Sequence, residues 1–360
     1  MDVQVGVAVI ALVASIASAG VSWWGNRRIE GFKAEQDRQN LLLQDTITRA
    51  QAAEKARQDE ESAEQAALRA YRFEALKRLY TQVQPLMFQM RGALQQARDH
   101  AVNLARASRN GNLGAGSESW MRDAEYYLPA TMYRFMLPAA YQRLMEEHLA
   151  LVDLSLDPTT ALVYALLGEY ARAWRSDYDI APTFYGTGGY APVEATAEEP
   201  HPVPNAPDGR DARQGLYAGW RDTMVDHLIV EGETPRLLRF GAFVNALQRS
   251  RGPMLNAFGP LAEQLQVFEP ATRPVQWAIL LALGSLAELT DWALAEGPLA
   301  DPTARWAALA RDPEYWKALS FQADPAAERV VAVQKCVIAF VDGALRHAMA
   351  VARPLRTQPA

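Results

Sequence analysis

The sequence predicts an all-α protein in three parts: an N-terminal transmembrane helix, a long helical stalk and a multi-helix C-terminal body. Three observations predict it. Val5 to Trp24 is a run of twenty residues without a charge. Asn26 to about Ala70 is rich in Glu, Gln, Arg and Ala and contains no proline. Beyond it, Asp-Pro dipeptides punctuate dense amphipathic helices, and no convincing period-two strand occurs. The expected boundaries are an anchor at 1–25, a stalk or coiled coil at 26–70, a helical subdomain at 71–178, a Pro/Gly-rich loop at 179–213, a second helical subdomain at 214–353 and a disordered tail at 354–360.

As a helix, Val5 to Trp24 spans about 30 Å, the thickness of a bilayer core. Trp23 and Trp24 stand where amphipathic rings prefer the interface, and Asn26, Arg27 and Arg28 follow at once. The rival reading is a cleaved signal peptide, because Ala17-Ser18-Ala19 fits the small-x-small cleavage pattern. Against it, Met1 to Gln4 carries no Lys or Arg, and the positive charges follow the apolar run. Arg27, Arg28, Lys33 and Arg38 then place the N-terminus outside and the body in the cytoplasm of a bacterial cell. Ala11, Ser15 and Ala19 repeat at four-residue spacing, with Ala14, Ser18 and Ser22 in an adjoining row. Such rows let helices approach closely, so self-association through this face is expected beside the simpler reading of tolerated small residues.

The stalk is about 65 Å long at ideal rise. A heptad frame places Ile29, Phe32, Leu43, Ala50, Ala53, Ala67 and Tyr71 at its seam, but also Gln36, Gln39, Arg57, Glu60 and Glu64. That is a weak seam, and both a loose homo-oligomeric coiled coil and a solvated single helix fit it. Pairs such as Asp45 and Arg49 add i,i+4 support.

In the body, Tyr71, Leu76, Leu79, Tyr80, Val83, Leu86 and Met90 follow helical spacing, with Pro85 expected to kink or break the helix. Ser108 to Ser117 reads as a loop, and Trp120 to Val152 as one or two helices interrupted near Pro129 and Pro138. Asp157-Pro158, Asp301-Pro302, Asp312-Pro313 and Asp324-Pro325 each put an N-cap acid before a proline at the first helical position. They predict helices over 158–178, 302–310, 313–321 and 325–352; others are expected over 213–230, 235–249, 253–267 and 271–296. The uncharged run Trp277 to Ala287 is too short to cross a bilayer before Glu288 and Asp291, and reads as a buried core helix. Asp179 to Arg213 holds six prolines and reads as a surface loop, its PxxP match at Pro204 to Pro207 included.

Composition narrows function. Apolar residues make up 49% and charged residues 22%, enough to bury a core. The net charge of −6 has its bases scattered among acids, which argues against a nucleic-acid groove. Of 36 basic residues five are lysine, leaving 31 arginines, a bias that reads as a GC-rich bacterial genome. The single cysteine, Cys336, allows no internal disulfide and sits in an apolar run as a core thiol. The histidines His100, His148, His201, His227 and His347 form no metal-binding spacing, and no phosphate-loop or nucleophile-elbow motif occurs. No cofactor and no metal are therefore expected. Glu146-Glu147-His148 reads as a solvated helix face. Asp153, Glu169 and Asp342 stand among apolar neighbours, where an acid needs a partner. For Asp342 an intrahelical pair with Arg346 serves, and for Asp153 a helix terminus. The aromatics between Trp120 and Tyr141, including Tyr126, Tyr127, Tyr133 and Phe135, read as core with a ligand pocket as the alternative.

The order of apolar anchor, stalk, Glu74-Ala75-Leu76-Lys77-Arg78-Leu79-Tyr80, Gln84-Pro85-Leu86, Tyr126-Tyr127-Leu128 and Val152-Asp153-Leu154-Ser155-Leu156-Asp157-Pro158 is similar to uncharacterised membrane-anchored proteins of actinobacteria. The resemblance implies a bacterial membrane setting and carries no activity or site residues. Three functions are open: a non-enzymatic, membrane-tethered scaffold binding the lipid bilayer, its own copies and an unidentified protein partner; a stress or phage-defence effector or sensor driven by anchor clustering; and an enzyme whose site is assembled from dispersed residues.

Overall fold

The computed structural model describes residues 3–113, 119–122, 126–149, 154–175, 180, 214–232, 235–249, 252–270, 273–297 and 300–352. The chain divides into two units, Met1–Phe73 and Glu74–Ala360. Its described elements are α-helical apart from short turns and one minimal hairpin, so the all-α class holds. The expected loop at 179–213 and tail at 354–360 lie outside the described residues, apart from Ile180.

Helix α1 (Val3–Arg109) supplies the whole described part of the first unit. Its Asp45 and Arg49 side chains meet at 2.7 Å, the expected i,i+4 pair. Phe32, Leu43 and Tyr71 of the heptad seam are exposed, as are Leu41, Leu42 and Ile47.

In the second unit α1 continues through Pro85 without a break. From Leu79 its buried residues fall on one stripe: Leu79, Val83, Met90, Leu94, Ala97, Ala101 and Leu104. The following elements are α2 (Tyr127–Leu149), α3 (Pro158–Ala173), α4 (Ala218–Leu228), β1 (Ile229–Val230), β2 (Arg236–Leu237), α5 (Phe240–Leu247), α6 (Pro253–Gln266), α7 (Pro274–Glu296), α8 (Pro302–Arg311), α9 (Pro313–Leu319) and α10 (Glu328–Ala352). Helices α3, α7 and α10 pack on one another, and α2 joins α3 to α4 and α6. Elements from either side of residues 179–213 thus share one core.

Three of the four Asp-Pro starts behave as expected. Asp157 caps Thr159 N, Asp301 caps Thr303 N and Ala304 N, and Asp312 caps Glu314 N. The fourth is corrected. Asp324 accepts from Ala326 N in a turn, and α10 begins only at Glu328. The helix expected over 235–249 is shortened because Arg236–Leu237 pairs antiparallel with Ile229–Val230. Leu238 N donates to Leu228 O at 2.8 Å and Tyr133 Oη to Leu238 O at 2.7 Å, so tertiary bonds override helical propensity. Two-residue strands are too short to show alternation. The interruptions expected near Pro129 and Pro138 are absent from α2, which contains both residues.

Helix α7 is the core axis. It is also, among the described residues, the one helix long and apolar enough to cross a membrane, yet most of that stretch is buried inside the unit. Two of its acids face arginines: Asp291 Oδ1 accepts from Arg91 Nε at 2.8 Å, and Glu288 accepts from Arg98 Nη1 at 3.0 Å and Arg305 Nη2 at 2.7 Å. Burial raises the Glu288 carboxyl, but the hydrogen bonds and charges of Arg305 and Arg98 outweigh it and hold it below its usual value. A Cβ on Gly284 would lie 2.9 Å from Ala101 Cβ, so this glycine sets how closely α1 and α7 approach.

Candidate functional site

The largest concentration of chemistry is a cleft of about 520 Å³ between α2, α3, α4 and α10. Glu169 is its deepest charge, 2% exposed on a helix whose other buried residues are mostly apolar. The carboxylate is fully engaged. Arg172 donates to Oε2 through Nε at 2.8 Å and Nη2 at 2.6 Å, and His347 Nδ1 lies 2.6 Å from Oε1. Arg172 also stacks over the Phe340 ring, 4.9 Å from its centroid, which ties α3 to α10. An ionised carboxylate at this burial needs such partners, since an unpaired one costs several kcal/mol or more (about).

The rim repeats the pattern. Glu146 Oε1 accepts from Gln142 Nε2 at 3.1 Å and Tyr164 Oη at 3.4 Å. Burial and the charge of Glu146 push the Tyr164 hydroxyl up, so it remains a donor. Arg143 lies between Glu146 at 3.5 Å and Asp226 at 3.8 Å, and Arg221 joins Asp222 and the Ala171 carbonyl. Arg143, Arg172 and Arg221 are therefore each matched by a carboxylate.

Glu169–His347 is a carboxylate–imidazole pair. With Nδ1–H donated to the carboxylate, a neutral imidazole keeps Nε2 as its basic nitrogen. That nitrogen has no hydrogen-bond partner among the described residues. His347 stands at the exposed end of the pair, its side chain 67% accessible. The arrangement can orient a base or hold a polar ligand.

The remaining candidates fall elsewhere. Asp153, His201 and the PxxP segment lie outside the described residues. Asp342 does not pair with Arg346; its Oδ1 accepts from Trp306 Nε1 at 2.9 Å, because α8 packs on the face that carries it. His148 Nδ1 lies 2.8 Å from Leu144 O and His227 Nδ1 2.9 Å from Thr223 O, each a local helix contact. Glu146 belongs to the cleft, so the solvated-face reading of Glu146-Glu147-His148 is revised for that residue. Cys336 is buried. Of the aromatics, Phe135, Tyr133 and Tyr141 are buried, whereas Trp120 and Tyr126 are exposed. Among the described residues, no group of acids, histidines and cysteine could hold a metal ion.

His100 sits in a separate buried network. Arg134 Nη1 lies 3.0 Å from Nδ1, and Arg134 can only donate, so Nε2 carries the proton and donates to Thr131 Oγ1 at 2.7 Å. The Thr131 hydroxyl in turn donates to Tyr127 O at 2.8 Å. Burial, then the Arg134 charge, lowers the imidazole to about 3.

In the first unit, Val21, Trp23 and Trp24 are exposed on α1. Arg27 covers the Trp23 ring at 4.7 Å and Arg28 the Trp24 ring at 4.6 Å. Ser15, Ser18 and Ser22 are exposed, and Ser18 Oγ donates to Ser15 O at 3.0 Å. The side chains of Ala11, Ala14 and Ala19 lie outside the described residues.

Glu169–Arg172 was open to sequence reasoning as an i,i+3 pair, but attention to Glu169 alone missed it. His347 and Arg221 carried no such signal. Comparison with protein-family models, curated proteins and solved structures gives no match.

Proposed function

We propose that the chain is a membrane-tethered helical interaction protein, anchored in a bacterial plasma membrane by Val5 to Trp24, N-terminus outside and body cytoplasmic. The observation that carries this reading is the exposed aromatic and basic collar. Two indoles, each capped by an arginine one turn later, close a charge-free run of membrane-spanning length. Rings of this kind sit at the headgroup level, with the arginines reaching phosphates on the cytoplasmic side. The rows Ala11, Ser15, Ala19 and Ala14, Ser18, Ser22, together with the exposed apolar residues of the stalk, support assembly of several copies. The test is alkaline carbonate extraction of membranes from cells expressing the full chain. The protein is expected to stay in the pellet, and a variant lacking 5–24 to move to the supernatant. Extraction of the intact chain by carbonate would reject the anchor.

A second reading, an enzyme with a dispersed site, is favoured by one observation: Glu169 fixes His347 Nδ1 and leaves Nε2 available beside the cleft. Nitrogen-15 NMR of histidine-labelled protein is expected to show the Nδ1–H tautomer for neutral His347 and the Nε2–H tautomer for His100. Glu169→Gln should disturb the first and leave the second. A neutral His347 protonated on Nε2 would remove this reading.

A further inference from the structure

A second cleft, of about 530 Å³, lies between α1, α2, the hairpin and α5. It differs in charge from the cleft around Glu169. Its lining includes Arg236 and Arg239, and none of its residues is acidic. Both arginines are exposed, and neither has an ion pair or side-chain hydrogen bond among the described residues. The backbone fixes where both side chains leave the chain. Arg236 is held opposite Val230 in the hairpin, and Arg239 leads into α5 with φ −75° and ψ 150°. The Tyr133 hydroxyl holds the Leu238 carbonyl between them. The floor is apolar, from Leu137 and Leu237, and Tyr141 adds a phenol. Burial, and the neighbouring Tyr133, push that hydroxyl up to about 12, so at neutral pH it can only act as a protonated group.

Unpaired guanidinium groups beside an apolar floor suit a ligand with two ends. A guanidinium matches the oxygens of a phosphate two at a time, and a pocket of this size accommodates a small organic molecule. We infer that this cleft binds an organic phosphate monoester, its phosphate on Arg236 and Arg239 and its apolar or aromatic body against Leu137, Leu237 and Tyr141. The site is distinct from the Glu169–His347 cleft and does not depend on the anchor.

The test uses the full chain in detergent micelles and three probes: 1-naphthyl phosphate, 1-naphthol and inorganic phosphate, titrated by calorimetry. Naphthyl phosphate should bind at least about tenfold more tightly than either fragment, because each lacks one end of the match. The double variant Arg236→Gln/Arg239→Gln should lose at least about tenfold in affinity for naphthyl phosphate. It should retain its unfolding midpoint, since both side chains are exposed and unpaired. Displacement by adenosine monophosphate would identify a soluble nucleotide as the source of the phosphate, and displacement by dihexanoyl phosphatidic acid a lipid headgroup. Absence of naphthyl phosphate binding, unchanged affinity in the double variant, or displacement by neither competitor would overturn the assignment.

Discussion

Trp277→Ala is expected to destabilise the body by about 3–5 kcal/mol, the range for deleting a large aromatic from a packed core. Trp277 is 0% exposed near the start of α7, stacked on Phe268 at 5.9 Å and meeting Phe321 edge-on at 5.7 Å. Its removal opens a void between α7 and the buried Phe268 and Phe321, and a close-packed interior relaxes only partly to fill it. Denaturant unfolding of the full chain in detergent, followed by near-ultraviolet circular dichroism, measures the loss. Trp24→Ala serves as the contrast. That ring is exposed, so the fold should change by no more than about 0.5 kcal/mol while membrane retention weakens. A loss near zero for Trp277→Ala would mean that α7 is not the buried axis of the body.

Acidification is expected to weaken the body through His100 well before ordinary carboxylates protonate. In the unfolded chain this imidazole takes a proton near pH 6.5, whereas in the folded body burial and Arg134 delay it to about 3. Between these values the unfolded state binds the extra proton. Stability is therefore fully present above about 6.5 and falls with pH by up to about 1.4 kcal/mol per unit. The loss levels off below the folded value. His100→Gln can accept from Arg134 and donate to Thr131 without titrating. Denaturant midpoints measured from pH 7 to 5 should decline in the wild-type chain and flatten in the variant. This window lies above the range in which Glu288 protonates. Equal slopes in the two proteins would refute a neutral, buried His100.

Local chemistry was legible in the sequence. The caps at Asp157, Asp301 and Asp312 need only an acid, a proline and the next two amides, all within one turn. Asp324 has the same dipeptide but closes a turn, because the cap bond alone does not decide whether the chain continues as helix. Length did not decide the uncharged run at Trp277, since the 23-residue helix that holds it is long and apolar enough to span a bilayer; the acids Glu288 and Asp291 were the readable signal for a core helix. What set Glu288 within that helix was not readable, since its partners Arg98 and Arg305 come from α1 and α8.

The candidate sites were less legible for the same reason. Glu169 stood out as an acid among apolar residues, but His347 lies 178 residues away and only folding brings it to the carboxylate. On α10 it borders the stripe of Val341, Ala344 and Ala348, a position that predicts a boundary residue and no partner. Arg236 and Arg239 were hidden within an expected helix. Their lack of carboxylate partners emerges only when the hairpin places them over Leu137 and Tyr141.

The tether is the central claim, and sidedness tests it most directly. Protease is added to intact spheroplasts and to inverted membrane vesicles from cells expressing the full chain. The body should be protected in spheroplasts and digested in inverted vesicles. Digestion from outside the spheroplast, or a body recovered free in the soluble fraction, would contradict it.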